Sequence, residues 1–177
     1  KKGSIVNNYI LSLQEDNSNN LWVGTNKGIS KINLKTDEIT NFECDENGNP
    51  FYKVRSILLT ERGTLIVITQ KNVYLYDEKN NKFTVALHEQ EIFKTEDIVD
   101  IKEDKSSNIW VGTTKSLIKV DRNTKEIIQY YSDDSGSIIK DDKINSILID
   151  KENNIWVSTS NNGLIKVIIK EGESNEI

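Results

Sequence analysis

The chain is short of the residues that most metal and disulfide chemistry uses: it has 177 residues with no methionine, one cysteine and one histidine. Cys44 alone cannot form a disulfide within the chain, so cysteine usage does not report the redox compartment. His88 alone excludes a site built from several histidines, and we predict no metal or other cofactor. Because the sequence starts at "KKGS" and shows no signal peptide, we expect an excised segment of a longer protein.

Long apolar runs and a basic surface are also missing. The longest apolar runs span a few residues, as in "LIKVII" at 164–169, whereas a membrane-spanning helix needs about 20. There are 23 Lys and Arg against 28 Asp and Glu, which gives a net charge of -5. The lysines are scattered among acids, and nucleic-acid binding needs a clustered positive surface. We therefore predict no nucleic-acid partner and no membrane span.

What the sequence does contain is a repeat. The phrase "NNLWVGTNKGISKIN" at 19–33 returns as "SNIWVGTTKSLIKVD" at 107–121 and as "NNIWVSTSNNGLIKV" at 153–167. The first two tryptophans are 88 positions apart, twice 44, and Ile66 lies halfway between them in a degenerate second copy. A repeat of this length indicates a solenoid or a propeller. We predict one domain over 1–177, with repeats at about 5–48, 49–92, 93–138 and 139–177.

Each copy carries the pattern of four short strands joined by polar turns, without helical periodicity. This predicts an all-β fold, a β-propeller segment of about four four-stranded antiparallel blades. A β-solenoid is the rival architecture, but turns as tight as "DNSNN" at 16–20 favour antiparallel hairpins. Only 174–177 remain for the outer strand of the fourth blade, so we expect that blade to be incomplete.

The repeated tryptophan is predicted to be core. Inner strands of a propeller are covered on both faces, and a Trp buries roughly 150 to 250 Å². We predict that Trp22, Trp110 and Trp156 fill the blade interfaces. Small residues two positions later would leave room for a neighbouring backbone or ring: Gly24, Gly112 and Ser158. In the second copy, Tyr74 and Tyr76 are predicted to refill the volume that Ile66 does not supply.

The copies read I-x-S-I-x-x-D-x-x-x-N-I/L-W-V-G-T-x-x-G-I/L-x-K-I/V-N/D, and this phrase resembles the two-component regulator propeller repeats of bacterial sensors. The second copy departs from it, with Thr60 at the Asp position. The phrase "GSI" at 3–5 and 136–138 also resembles the family's inter-blade phrase. The matching residues are Ile10, Ser12, Leu13, Asp16, Asn20, Leu21, Trp22, Val23, Gly24, Thr25, Gly28 and Lys31, with Asp104, Asn108 and Trp110 and then Asp150, Asn154 and Trp156 in later copies.

The resemblance implies a sensor region outside the cytoplasmic membrane, in hybrid histidine kinases and related regulators, that passes a signal to a kinase dimer. Its implied partners are the remaining blades and the kinase of the parent protein. Similar propellers include streptogramin lyases, whose chemistry depends on histidine and a metal, but "ALHEQEIF" around His88 gives no matching motif. Nor does His88 form a convincing pair with Cys44. We therefore expect no enzyme activity.

Acidic turns recur before each tryptophan. Asp16, Asp104 and Asp150 each stand six positions before it, in turns that resemble calcium loops. None supplies the alternating acids and twelfth-position Glu of an EF-hand. The prediction is that these carboxylates accept backbone N–H bonds within their turns.

Loop lengths indicate which face binds. In a blade, the loop into the first strand and the turn between the second and third strands open on one face, and the length changes between copies fall there. Loops that vary over a uniform scaffold are where recognition is usually placed. The candidate ligand-binding residues on this face are Asn26, Lys27, Tyr52, Lys53, Arg55, Lys115 and Asn161. They suit a polar ligand such as an oligosaccharide, although ordinary hydrophilic loop composition explains any one of them.

Two functions stay open on the sequence. One is a sensing propeller for a carbohydrate or another small nutrient, and the other is a protein–protein interaction scaffold with no small ligand. The isolated segment is also expected to self-associate, because open ends would expose apolar faces of the first and fourth blades near Trp22 and Trp156.

Overall fold

The structure, a computed structural model, describes residues 3–70, 72–86, 96–121, 127–131 and 142–167, with 127–131 described by backbone alone. All regular structure in these ranges is β, in four antiparallel sheets. No helix among the described residues could cross a membrane. The predicted all-β propeller architecture is confirmed, and each sheet is called a blade below.

The first two blades each have four strands in sequential order. Blade 1 consists of β1 Ile10–Glu15, β2 Asn20–Thr25, β3 Gly28–Asn33 and β4 Ile39–Phe42. Blade 2 consists of β5 Ser56–Leu59, β6 Leu65–Ile68, β7 Val73–Asp77 and β8 Lys82–Val85.

The third blade repeats this order, and the fourth has three strands among the described residues. Blade 3 consists of β9 Ile98–Glu103, β10 Ile109–Thr113, β11 Ser116–Val120 and β12 Ile127–Tyr131. Blade 4 consists of β13 Ile144–Ile149, β14 Ile155–Thr159 and β15 Leu164–Val167. The segment 174–177, predicted to begin an outer strand, lies outside the described residues.

The first hairpin of every blade turns at a left-handed residue in the same register. These residues have φ between 60° and 78° and lie 44 or 46 positions apart: Asn19, Gly63, Ser107 and Asn153. Glycine and short polar residues tolerate this conformation best. The turn chemistry therefore sets hairpin register even in blade 2, where the acid and the tryptophan of the phrase are replaced.

Three apolar clusters fill the three interfaces between consecutive blades. Alternation along each second strand sends Leu65 and Val67 toward blade 1, and Ile66 and Ile68 toward blade 3. Because both sides of a middle blade are covered, its inner strands are apolar on both faces, as β6 is throughout.

The tryptophans face the following blade. Trp22 is 1% and Trp110 0% exposed, and Trp22 packs against Tyr76 and Phe83 of blade 2 with ring centroids 4.6 and 5.9 Å apart. Their predicted burial is confirmed. The same prediction was wrong for Trp156, which stays partly exposed because no blade among the described residues covers its side of β14. The Trp22 neighbourhood was also expected to be exposed, and this too was wrong because blade 2 covers it.

The second blade fills its far interface differently from what we predicted. Tyr74 and Tyr76 pack toward blade 1 with Trp22, so they cannot replace volume next to Ile66. Ile66 packs on blade 3 together with Ile68, which stands at the Gly position of the phrase. Two isoleucines thus take the place of one Trp and one Gly.

The glycines after the tryptophans are required by close approach. A Cβ built at Gly24 would lie 2.9 Å from the Val54 carbonyl oxygen, and one at Gly112 would lie 2.9 Å from Ile144 Cγ2. Both contacts come from the next blade, so the prediction that these small residues leave room for a neighbour holds at both positions.

Large apolar side chains are exposed on the two outer sides of the four described blades. Leu13 is 61% exposed, whereas its counterparts Ile57, Ile101 and Ile147 are 6%, 0% and 1% exposed because a preceding blade covers them. We call the side with Leu11 and Leu13 the leading face. The opposite side, with Leu148, Trp156 and Leu164, is the trailing face.

Candidate functional site

The loops that were predicted to share one face of the blades do so. The turn between the second and third strands of a blade lies against the loop that enters the next one: the Lys53 N–H donates to the Asn26 carbonyl at 3.1 Å, and the Ile98 N–H donates to the Gln70 carbonyl at 3.0 Å. These bonds bring residues from sequence-distant loops onto one rim of the array.

A cleft of about 480 Å³ opens on this face between blades 1 and 2, within the range of roughly 300 to 1,000 Å³ that ligand pockets occupy. Three segments line it: the β2–β3 turn, the loop before β5 and the β6–β7 turn. Its lining residues are Asn26, Lys27, Pro50, Tyr52, Lys53, Thr69, Gln70, Asn72 and Tyr74.

The inner wall of the cleft is fixed by packing. Tyr74 is buried and meets Phe51 edge to face, with centroids 4.9 Å apart. The Asn72 amide donates to the Tyr74 hydroxyl at 3.1 Å. Burial raises the pKa of this phenol, against that hydrogen bond, which lowers it. Tyr74 therefore stays neutral and offers a rigid aromatic wall rather than a charge.

The rim carries the free polar groups. Tyr52 is 62% exposed, and Lys53 has a left-handed backbone with φ 50°. Among the described residues, the other non-glycine positions with positive φ are Asn, Asp or Ser: Asn19, Asp37, Asn81, Ser107 and Asn153. A long side chain in that conformation is strained, and such strain gathers at functional sites.

Four of the seven predicted site residues line this cleft: Asn26, Lys27, Tyr52 and Lys53. Arg55, Lys115 and Asn161 do not. Arg55 precedes β5, and its Nε is buried without a hydrogen-bond partner among the described residues. Lys115 is exposed at the β10–β11 turn, and Asn161 donates its N–H and its amide to Asp142. The ligand-binding role of all seven stays a prediction.

Sequence reasoning missed the second-blade half of the cleft: Pro50, Thr69, Gln70, Asn72 and Tyr74. The repeat spacing could have found part of it. Thr69, Gln70 and Asn72 stand 44 positions after Thr25, Asn26 and Gly28, so they are expected at equivalent places in their blade. Tyr74 was assigned to the core, and it serves there and in the cleft wall at once.

In blade 4 an internal carboxylate caps the turn between the second and third strands. Asp142 accepts N–H bonds from Ser160, Asn161 and Asn162 at 3.0 Å or less. Burial by itself would raise the pKa of Asp142, but the Thr159 hydroxyl and these backbone N–H groups outweigh it and hold the pKa at about 2.

Acid should therefore weaken the fold through Asp142. A pKa held below its ordinary value stabilises the folded state above the unfolded pKa of 3.8 and is lost as the pH falls toward about 2. We expect the free energy of unfolding, from urea titrations, to decline between about pH 5 and pH 2. Asp142→Asn should flatten part of that decline, and an unchanged slope would contradict the assignment.

The acidic hairpin turns follow their prediction. Asp16, Asp104 and Asp150 accept backbone N–H bonds within their turns. Each also accepts the indole N–H of the Trp six residues later, at 2.7 to 2.9 Å. The hydrogen bond from the Trp156 indole is the largest of the effects that lower the pKa of Asp150. These carboxylates orient the tryptophans, a role that the six-residue spacing signals. His88 lies outside the described residues.

Comparison with known proteins agrees with this geometry. Residues 4–27 and 128–161 match the sequence profile of the two component regulator propeller family. Over these two segments the chain is similar to two-component regulator propeller repeats. The resemblance read from the Trp phrase is thus confirmed. No curated protein matches the chain.

Solved structures share the fold. The extracellular domain of a one component system from B. thetaiotaomicron superposes with a TM-score of 0.77 at 21% identity, covering 96% of this chain and 22% of that one. The extracellular domain of a hybrid two component system from the same organism gives 0.70 at 20% identity, covering 90% and 21%. Virginiamycin B lyase from Staphylococcus aureus gives 0.64 at 15% identity, covering 97% and 60%.

This chain therefore spans about a fifth of the length of those extracellular domains. At these identities the superpositions establish the fold. The lyase shows that the same fold also carries catalysis elsewhere. Within the described residues, no group of three His, Cys, Asp or Glu side chains is placed to hold a metal ion.

Proposed function

We propose that the chain is part of an extracytoplasmic, non-enzymatic sensor propeller of a two-component regulator, and that the cleft between blades 1 and 2 binds a small polar ligand such as an oligosaccharide. The observation that carries this is the convergence of Asn26, Lys27, Tyr52 and Lys53 on one cleft. Location outside the membrane and coupling to a kinase are supported by the family and by the extracellular domains that share its fold.

The chemistry of the cleft supports recognition. An exposed aromatic ring at Tyr52 offers a stacking surface, and the amides of Asn26 and Asn72 can donate to or accept from hydroxyl groups. Side-chain hydrogen bonds of Asn26, Lys27 and Lys53 to other described residues are absent, so these groups are available to a ligand. Clefts of this kind, with a few convergent polar groups on a rigid wall, are typical of small-molecule sites.

Ligand binding can be tested with an oligosaccharide and metabolite array followed by calorimetry. Lys27→Ala should reduce the affinity for any specific ligand by about tenfold, the loss of one charge-assisted hydrogen bond. The matched control is Lys115→Ala, because Lys115 occupies the same turn position in blade 3, 88 positions later, away from the cleft. Equal losses in both variants, or capture of a protein partner with no small ligand bound, would favour the scaffold function instead.

A further inference from the structure

The cleft lies where one recurring feature of the blades is absent. In blades 3 and 4, the residue two positions before the first strand is a buried acid, Glu96 or Asp142. Glu96 accepts the hydroxyls of Thr113 and Ser116, the second at 2.7 Å, and Asp142 accepts three consecutive N–H groups of its turn. Blades 3 and 4 thus each close the turn between their second and third strands with a carboxylate of their own.

Counting back by the 44-residue repeat from Glu96, the equivalent residue is Asn8 in blade 1 and Tyr52 in blade 2, so neither blade that borders the cleft has the acid. In blade 2 this residue is the one that lines the cleft, Tyr52. Its ring is exposed rather than folded onto the Thr69–Asn72 turn. The cleft therefore opens where the internal carboxylate is missing.

A backbone donor is left over at the same place. In blades 1, 3 and 4 the first turn N–H, from Asn26, Thr114 or Ser160, donates to a carbonyl of the entry loop at 2.9 to 3.0 Å. The equivalent N–H of Gln70 has no such bond and no other partner among the described residues. Lys53, whose carbonyl would be its acceptor, has the left-handed backbone. Gln70 lines the cleft, so a ligand can supply the acceptor.

The charge of the cleft also favours a ligand that carries a hydrogen-bond acceptor with negative charge. Its lining contains Lys27 and Lys53 and no acidic residue, although the whole chain carries a net charge of -5. Two acids act on lining residues from outside the cleft: Asp97 accepts the Gln70 side-chain amide at 2.8 Å, and the charge of Asp45 helps to raise the pKa of Tyr74, after burial. Two lysines beside an unsatisfied turn N–H form a site complementary to an anion.

We propose that this cleft is selective for ligands with a carboxylate, such as an acidic sugar, and that the ligand's carboxylate accepts the Gln70 N–H as Asp142 accepts the Ser160 N–H in blade 4. This inference rests on the proposed function and narrows its ligand class. The exposed Tyr52 ring would stack on the body of the ligand while the carboxylate meets Gln70, Lys27 and Lys53.

The binding test uses matched probes that differ in one group. Digalacturonate and the neutral galactobiose of the same linkage are titrated into the 177-residue chain by calorimetry and by amide chemical shifts, with sodium sulfate as a third probe. We expect digalacturonate to bind at least tenfold more tightly than galactobiose, with shifts at Gln70. Lys53→Asn, which suits a left-handed backbone, should weaken it about tenfold, and Lys115→Gln should not.

A second test needs no ligand. Tyr52→Asp and Tyr52→Glu place a carboxyl where blades 3 and 4 have one, and Tyr52→Asn is the neutral control. If the turn is an anion site, the introduced carboxyl should titrate well below its ordinary pKa, as Asp142 does, and should abolish digalacturonate binding.

The outcomes separate the two proposals. Equal affinity for galactobiose, with shifts in the cleft, would overturn carboxylate selectivity and leave the ligand-binding cleft standing. Sulfate binding as tight as digalacturonate would also overturn it, in favour of a general anion site. Ordinary pKa values for both introduced carboxyls, with none of the probes bound, would remove both the selectivity and the cleft.

Discussion

Replacing Trp110 by alanine should lower the free energy of unfolding by about 3 to 5 kcal/mol, the range found when large aromatics are removed from cores. The ring is fully buried in the blade 3–blade 4 interface with Leu117, Ile144 and Ile147. Its N–H donates to the buried Asp104 at 2.9 Å, so the substitution also leaves a carboxylate oxygen without this donor. Urea unfolding followed by circular dichroism measures the change.

Two matched variants show whether the loss arises at the interface. Trp156→Ala removes the same residue from a partly exposed position and should cost clearly less. Trp110→Phe keeps most of the packing but removes the indole donor, and should cost about 1 to 3 kcal/mol for one lost hydrogen bond to a charged acceptor, since Asp104 Oδ2 keeps the Asn108 amide. Trp110→Phe also tests the interface if the alanine variant does not fold. A loss below about 1 kcal/mol for Trp110→Ala would contradict the core assignment.

The sequence predicted this interface well because the repeat samples it several times. Trp22 and Trp110 recur in one phrase with a Gly two residues later. A large and a small side chain on the same face of the strand therefore recur together. Trp156 carries the same phrase, yet its ring is partly exposed, because burial depends on a following blade rather than on local sequence. Periodicity in the chain could not reveal that dependence.

The second copy shows the complementary limit. Its Tyr74 and Tyr76 were predicted to refill the volume that Ile66 does not supply at the Trp position. Strand alternation decides otherwise: the tyrosines point to blade 1 and Ile66 to blade 3. A period-two argument applied to β7 would have separated them from the sequence alone.

The candidate site was predicted only to the extent that topology placed it. The rule that entry loops and second turns share a face brought Asn26, Lys27, Tyr52 and Lys53 together. It could not show that Asp142 and Glu96 fold back onto their own turns while Tyr52 does not, because this depends on side-chain conformation and on the left-handed Lys53. Lys115 and Asn161 lie on turns of the same kind in blades 3 and 4, away from the cleft between blades 1 and 2, and Arg55 immediately precedes β5 without lining it.

The 177-residue chain should self-associate through its leading and trailing faces, with Leu13 on one and Leu164 on the other. Leu164 is 67% exposed, whereas Ile29, Val73 and Leu117 at the same register position are at most 3% exposed. Each face is the side of a blade that elsewhere packs against another blade, so the two faces are complementary to each other. Apolar patches of this kind mark interaction sites.

A head-to-tail pair of chains would bury both faces at once. Related by a two-fold axis, two four-blade arrays form a closed ring of eight blades, within the usual propeller range of about 4 to 8. Sedimentation equilibrium at tens of micromolar should then give twice the 20.2 kDa chain mass. Leu13→Asp and Leu164→Asp should each shift the population toward monomer, while Leu34→Asp, at an exposed leucine between β3 and β4, should not.

Mixing the two variants distinguishes head-to-tail pairing from its alternatives. A mixed pair of Leu13→Asp and Leu164→Asp chains has one doubly altered contact and one intact contact, so it should associate more strongly than either variant alone. If a face paired with its own copy instead, only one of the two single variants would have an effect, and mixing would restore nothing. A wild-type chain that remains monomeric and binds no hydrophobic dye would contradict this prediction. It would show that the exposed leucines of these faces are tolerated in water and do not drive association.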